Sequence, residues 1–247
     1  KTTAVSVRIQ YRSLVSGEDG QKVCVLRILG SGTVRTIEEL GLPLRTQSVL
    51  KSAMKSSSGM ILFTGVTGAG KSTTLHACID AKPPEAVAQT IEDPVEVEST
   101  DPLVFQGNAS HDADEIKELV RLDPDIGVSG EIRDARTATE AFNMARTGHL
   151  MLATFHANSC LSAIGRLKSK SFGISLEELA EDELLKMLVA QRLVPTLCRS
   201  CARKIPSKED ASKKTRSYAL QQWKEWELTA TKGALKRLND IAKQGNL

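Results

Sequence analysis

Eight residues, Gly65-Val-Thr-Gly-Ala-Gly-Lys-Ser72, constrain the fold of this chain more than any others. They satisfy the phosphate-loop pattern G-x-x-x-x-G-K-[ST] at every fixed position. Met60 to Thr64 before them is an apolar run of strand length, read as a buried parallel strand. Thr73 to Ile79 after them can begin a helix. A strand that turns sharply into a helix aims the backbone amides of residues 67 to 72 at one phosphate chain, and the helix N-terminus adds positive potential. Gly65, Thr67, Gly68, Ala69, Gly70, Lys71, Ser72 and Thr73 are therefore the expected nucleotide-binding residues. Lys71 would reach the β- and γ-phosphates, and the Ser72 hydroxyl would ligate Mg2+. The competing explanation, a chance glycine-rich turn, does not account for a strand and a helix on its two sides. The expected ligand is a nucleoside triphosphate with Mg2+.

From about residue 44 the pattern alternates helix and strand. A helix is expected over 44 to 55, and strands at 60 to 64, 88 to 91, 126 to 129 and 150 to 154. A charged helix fits 112 to 122, and a long one fits 134 to 147. This alternation implies an α/β domain with a parallel sheet covered by helices on both faces. In such folds functional groups gather at the carboxyl ends of the strands. The phosphate loop, the acidic pair Glu92-Asp93, Glu131 and His156 each follow a strand, so one crevice can contain all four.

The flanks read differently. Val5 to Ile9 and Lys22 to Leu29 are two antiparallel strands around the turn residues Ser16 to Gly20. Two strands do not make a domain, so residues 1–30 are expected to be the last strands of a preceding domain. The opening on Lys1 without a methionine agrees with upstream sequence. Gly30-Ser-Gly32 begins a linker over 31–43, and the main domain is expected over 44–200. A net charge of +3, from 33 basic and 30 acidic residues, does not argue for nucleic acid. No apolar run reaches the length of a membrane-spanning helix, and no signal peptide is visible. Five cysteines, two of them closely spaced, do not form a disulfide framework and suit the cytosol.

Four blocks in order resemble the secretion ATPase superfamily of type II secretion and type IV pilus assembly. They are the phosphate loop to Thr74, Thr90 to Glu96 (similar to the family's Asp box), Asp123 to Asp134 (similar to its Walker B block) and Thr147 to His156 (similar to its His box). The resemblance covers roughly residues 1 to 200. It implies a RecA-like P-loop NTPase core preceded by the remnant of an α+β domain, and an ATP-hydrolysing motor working as a homo-hexamer. Its partners would be a polytopic inner-membrane platform protein and cytoplasmic linker proteins. Its place would be the cytoplasm, peripheral to the inner membrane.

The resemblance assigns the catalytic role to Glu131, which can orient and polarise the attacking water; a solvated loop glutamate is the alternative. Glu92 and Asp93 lie where carboxylates hold magnesium-bound waters, with Glu92 expected among the catalytic residues and Asp93 the expected water-mediated Mg2+ residue. The alternative there is a plain acidic turn. Arg133 and Asp134 are expected to pair locally and to cap the next helix. For His149 and His156 the resemblance implies hydrogen bonding near the γ-phosphate or at a subunit boundary, against two ordinary core histidines. Arg8, Arg27 and Arg121 match arginines of the family, the first two on the preceding domain and facing nucleotide. Lys117 stands where the family often has a further arginine.

Cys198-Arg-Ser-Cys201 resembles half of the family's four-thiolate zinc site. No cysteine follows Cys201, and two thiolates cannot close a tetrahedral site, so zinc is not expected. The pair still leans toward an assembly motor. Residues 201–247 are expected to be a charged linker and amphipathic helices packing Trp223 and Trp226. Two other functions remain open: a nucleic-acid translocase on the same fold, and a structural subunit that binds nucleotide without turnover. The lack of a basic, aromatic-interleaved stripe opposes the first, and Lys71 with Glu131 opposes the second.

Overall fold

The computed structural model describes residues 6–13, 22–29, 34–108 and 113–195. Strands β1 (Ser6–Ser13) and β2 (Lys22–Leu29) pair antiparallel as a sheet of their own, with Arg8 opposite Arg27. The expected helices beyond residue 201, with Trp223 and Trp226, and the pair Cys198/Cys201 lie outside the described residues.

Six strands form the main sheet: β3 (Gly59–Thr64), β4 (Ala88–Glu92), β5 (Val104–Asn108), β6 (Ile126–Ile132), β7 (Leu150–Phe155) and β8 (Leu185–Ala190). All pair parallel, in the order β5-β4-β6-β7-β3-β8. Because successive strand residues face opposite sides, β3 and β7 feed two cores. Met60 and Leu62 of β3 join Met151, Ala153 and Phe155 of β7 on one face. Ile61 and Phe63 join Leu150 and Leu152 on the other. A strand buried on both faces reads as an unbroken apolar run, which is why these two were visible in the sequence.

Helices α3 (Ala113–Arg121), α4 (Ala135–Arg146) and α5 (Cys160–Leu167) cover the first face. Helices α1 (Leu44–Ala53) and α2 (Lys71–Asp80) cover the second. A short helix, α6 (Leu176–Leu179), precedes β8. Asp134 caps α4 by accepting from the Thr137 amide at 2.9 Å, as its position before the helix predicts. Both edge strands, β5 and β8, were absent from the sequence-based reading. In β5 the run Val-Phe-Gln-Gly-Asn has no clean alternation, and in β8 every residue but Ala190 is only half-buried.

Candidate functional site

The phosphate loop leaves the carboxyl end of β3, which sits between β7 and the edge strand β8. Two glycines give the loop its shape. Gly68 and Gly70 take φ of 75° and 84°, the left-handed region that costs other residues about 1–2 kcal/mol. Helix α2 then begins at Lys71 rather than Thr73, with Gly70 as its cap. Lys71 is buried and donates to the carbonyls of Gly65 at 3.1 Å and Val66 at 3.3 Å. Burial lowers its pKa, and the opposing charge of Glu131 works against that shift.

The loops after β4, β6 and β7 open at the same end and enclose a cavity of about 410 Å³ with the phosphate loop. Seven of the eight expected loop residues line it, Thr67 through Thr73, together with Glu92, Asp93, Glu131 and His156. Gly65 lies below, where a Cβ would stand 2.7 Å from the Gln191 carbonyl. The register of β6 against β7 shifts between Ser129 and Ile132, and such an irregularity turns a side chain out of the regular alternation. Glu131 belongs to that stretch. Its Oε1 is 2.9 Å from His156 Nε2, and its Oε2 accepts from Arg133 Nε at 2.8 Å. Arg133 Nη1 also stands 3.8 Å from Asp93 Oδ2, so this arginine bridges the two acidic loops. Its local pairing was expected from the sequence; its place in the crevice was not.

His156 is held from behind. Its carbonyl accepts from Arg166, whose guanidinium lies over Phe155 at 5.3 Å and Phe172 at 5.2 Å. Burial first, and then the Lys71 charge, lower the His156 pKa below its ordinary value, while Glu131 pulls the other way. The neutral imidazole is therefore the form that meets Glu131 at neutral pH.

Glu92 lines the crevice but is engaged elsewhere. Its Oε2 is 2.9 Å from His76 Nε2, and its Oε1 accepts from Thr90 at 2.8 Å and Gln106 at 3.3 Å. A carboxylate whose oxygens already have three donors is placed to brace the loop rather than to move a proton. His76 was missed, although it lies four residues after Ser72 and so shares its helical face. Gln191, just past β8, was also missed as a contact: its side chain donates to the Ala69 carbonyl at 2.8 Å and its amide to the Thr64 carbonyl at 3.0 Å. Nothing in local spacing marks a residue that reaches the loop from more than a hundred positions away.

Two expected residues lie elsewhere. Arg121 ends α3, is mostly exposed, and pairs with Glu118 one turn back. It precedes β6, so the seven residues of that strand, about 20 Å, separate it from the crevice. His149 likewise precedes β7, bonded to Asp123 at 3.3 Å and Thr147 at 3.2 Å. The four groups that the sequence places at strand ends reach the crevice from the carboxyl side, although Glu92 is still the last residue of β4 and Glu131 lies within β6 rather than after it. Arg121 and His149 adjoin strands on the amino side and do not line it. Arg8 and Arg27 are register partners on their own sheet.

A second cavity of about 530 Å³ adjoins the loop, with Leu40, Leu42, Val97 and Leu193 as apolar wall and Arg35 and Arg192 at hand. Among the described residues no group of three or more His, Cys, Asp or Glu could hold a metal ion. Oxygen donors suited to Mg2+ are nonetheless present in the crevice, the Ser72 hydroxyl and the Asp93 carboxylate. Also among the described residues, no helix is long and apolar enough to cross a membrane.

These features have parallels in known proteins. Type II secretion system protein E of Pectobacterium carotovorum subsp. carotovorum is 38% identical over 208 residues, 82% of this chain and 40% of that one. The competence protein ComGA of Bacillus subtilis (strain 168) is 38% identical over 183 residues, 72% of this chain and 50% of that one. This chain thus spans about half or less of the length of such relatives. Among solved structures, the Legionella pneumophila ATPase DotB matches with a TM-score of 0.62 at 26% identity, covering 77% of this chain and 54% of DotB. The pilus retraction motor PilT with bound ADP matches at 0.61 and 28%, covering 76% of this chain and 59% of PilT. The model of the family described as type II/IV secretion system protein matches residues 1–237, and the chain belongs to that family.

Proposed function

We propose that this chain hydrolyses ATP and that hydrolysis powers assembly of a type IV pilus or a type II secretion pseudopilus. The observation that carries the first half is the placement of Glu131 across one crevice from Lys71, held by His156 and Arg133. The triphosphate lies along the amides of residues 67 to 72, and Lys71 leaves the Gly65 and Val66 carbonyls for the phosphate oxygens. The base and sugar occupy the adjoining cavity between Leu42, Val97 and Leu193. Ser72 and, through water, Asp93 would hold Mg2+, whose charge would offset that of the phosphates. Glu131 orients the attacking water, with neutral His156 fixing one of its oxygens. Glu92 supports the site as a brace.

The second half rests on family membership and on the relatives named for type II secretion and pilus retraction. On this proposal residues 1–30 close a preceding domain, 31–43 link it to the ATPase core of 44–200, and 201–247 form a helical end. Protomers form a hexamer, with Arg8 and Arg27 reaching nucleotide at domain or subunit boundaries. Partners are an inner-membrane platform protein and cytoplasmic linkers, at the cytoplasmic face of the inner membrane.

Phosphate release beside equilibrium binding of a fluorescent ATP analogue tests the enzymatic reading. Lys71→Ala should abolish binding. Glu131→Gln should bind normally while turnover falls by roughly two to four orders of magnitude. Wild-type turnover in Glu131→Gln would remove that residue from the mechanism.

A further inference from the structure

A buried hydrogen bond joins the two elements that flank the proposed magnesium position. His76 lies on α2 one turn beyond Ser72 and is 5% exposed. Glu92 is the last residue of β4, equally buried, and immediately precedes Asp93. Their Nε2 and Oε2 atoms are 2.9 Å apart. Glu92 cannot swing toward another partner without abandoning Thr90 and Gln106 as well, since those two hold its other oxygen. The bond therefore works as a strut from the first turns of the phosphate helix to the acidic loop. In a water-poor setting such a strut is stronger and stiffer than at a surface.

We propose that His76 is a positioning residue that sets the spacing between Ser72 and Asp93 through its grip on Glu92, and so tunes the affinity of the site for Mg2+; this rests on the nucleotide-binding function proposed above. Metal sites commonly depend on residues that orient the ligands without touching the ion, and losing such a residue typically costs 10–100-fold in metal affinity. Here the reach is through the backbone from Glu92 to Asp93 on one side and along one helical turn to Ser72 on the other. Removing His76 would thus free one oxygen of Glu92 and disturb the position of the loop that carries Asp93.

The test is the affinity of the full chain for a fluorescent ADP analogue, measured with Mg2+ and with chelator. His76→Leu should lose tenfold or more of the gain that Mg2+ brings and keep its metal-free affinity. His76→Gln, whose amide can still donate to Glu92, should restore most of that gain. Equal losses with and without Mg2+, or an unchanged gain in folded His76→Leu, would overturn the positioning role. If His76→Leu does not fold, NMR of the unsubstituted chain decides. The chain has four histidines, so His76 can be assigned from the His76→Gln spectrum. Adding Mg2+ to the ADP-bound protein should shift the His76 ring signal and leave His149, at the opposite edge of the sheet, in place. A His76 signal indifferent to Mg2+ overturns the proposal. Failure of the unsubstituted chain to bind ADP at all would instead sink the nucleotide reading, and this one with it.

Discussion

His156 Nε2 stands 2.9 Å from Glu131 Oε1, inside the crevice that also holds Lys71. Burial and the nearby Lys71 charge lower the His156 pKa from 6.5, with Glu131 opposing. The folded chain therefore binds this proton more weakly than the unfolded chain. Stability contributed through this group is present above 6.5 and is lost as pH falls from there through the lowered folded value. Hydrolysis should follow the same sign. The rate should be level through neutral pH and decline only below the ordinary histidine range, as an imidazolium draws Glu131 away from the water it must orient. A kcat profile over roughly pH 5 to 8 checks this. An acid limb centred at or above the ordinary histidine value, or one that survives in His156→Asn, would contradict it.

Gly70 and Gly68 should respond differently to alanine. Both have positive φ, so each substitution costs about 1–2 kcal/mol of backbone strain. A Cβ on Gly70 would also meet Gln191 Nε2 at 3.1 Å and Leu193 Cδ2 at 3.2 Å, whereas one on Gly68 meets nothing within 4 Å. Gly68→Ala should therefore lower Tm by roughly 2–8 °C, and Gly70→Ala by more. Thermal melts of both variants without nucleotide are sufficient. An equal or reversed order would show that Gln191 and Leu193 yield freely.

The sequence carried the centre of the fold because β3 and β7 are apolar on both faces and the phosphate loop fixes what lies between strand and helix. Glu131, Asp93 and His156 were legible for the same reason: each follows an apolar run at its carboxyl end. Arg121 and His149 also adjoin strands, but on the amino side, and the direction of a parallel strand decides which edge a neighbour occupies. Glu92 was legible as a crevice residue and not as a brace, because its partners come from α2, β4 and β5 at once. Pairings between elements are set by tertiary packing, which spacing within one element does not record.

Gln191 links β8 to the phosphate loop, bonding Ala69 through its side chain and Thr64 through its amide. Gln191→Ala keeps the backbone bond and removes the other. The Ala69 carbonyl loses its donor, at a net cost of about 0.5–1.5 kcal/mol. The loop should then hold its phosphate-binding shape less of the time, and affinity for ADP should fall roughly two- to twelvefold, the same energy expressed in binding. Calorimetric titration with ADP would measure it. Unchanged affinity with an unchanged melt would mean that the glycines alone preserve the loop.

Turnover should depend on assembly. Arg8 and Arg27 are register partners on the two-stranded sheet, joined to the core by the segment that begins at Gly30. Arginine suits phosphate because its planar fork binds two oxygens at once. If these arginines meet nucleotide only when domains are arranged in a ring, an isolated protomer should bind ATP and hydrolyse it slowly. Arginines supplied in this way contribute roughly three to five orders of magnitude in other nucleotide hydrolases. Specific activity should therefore rise with protein concentration, and Arg8→Ala or Arg27→Ala should flatten the rise with little effect on binding. A steady-state ATPase series paired with light scattering makes the comparison. Constant specific activity across the change from monomer to oligomer, indifferent to either substitution, would mean that each protomer works alone and that the ring motor is the wrong picture.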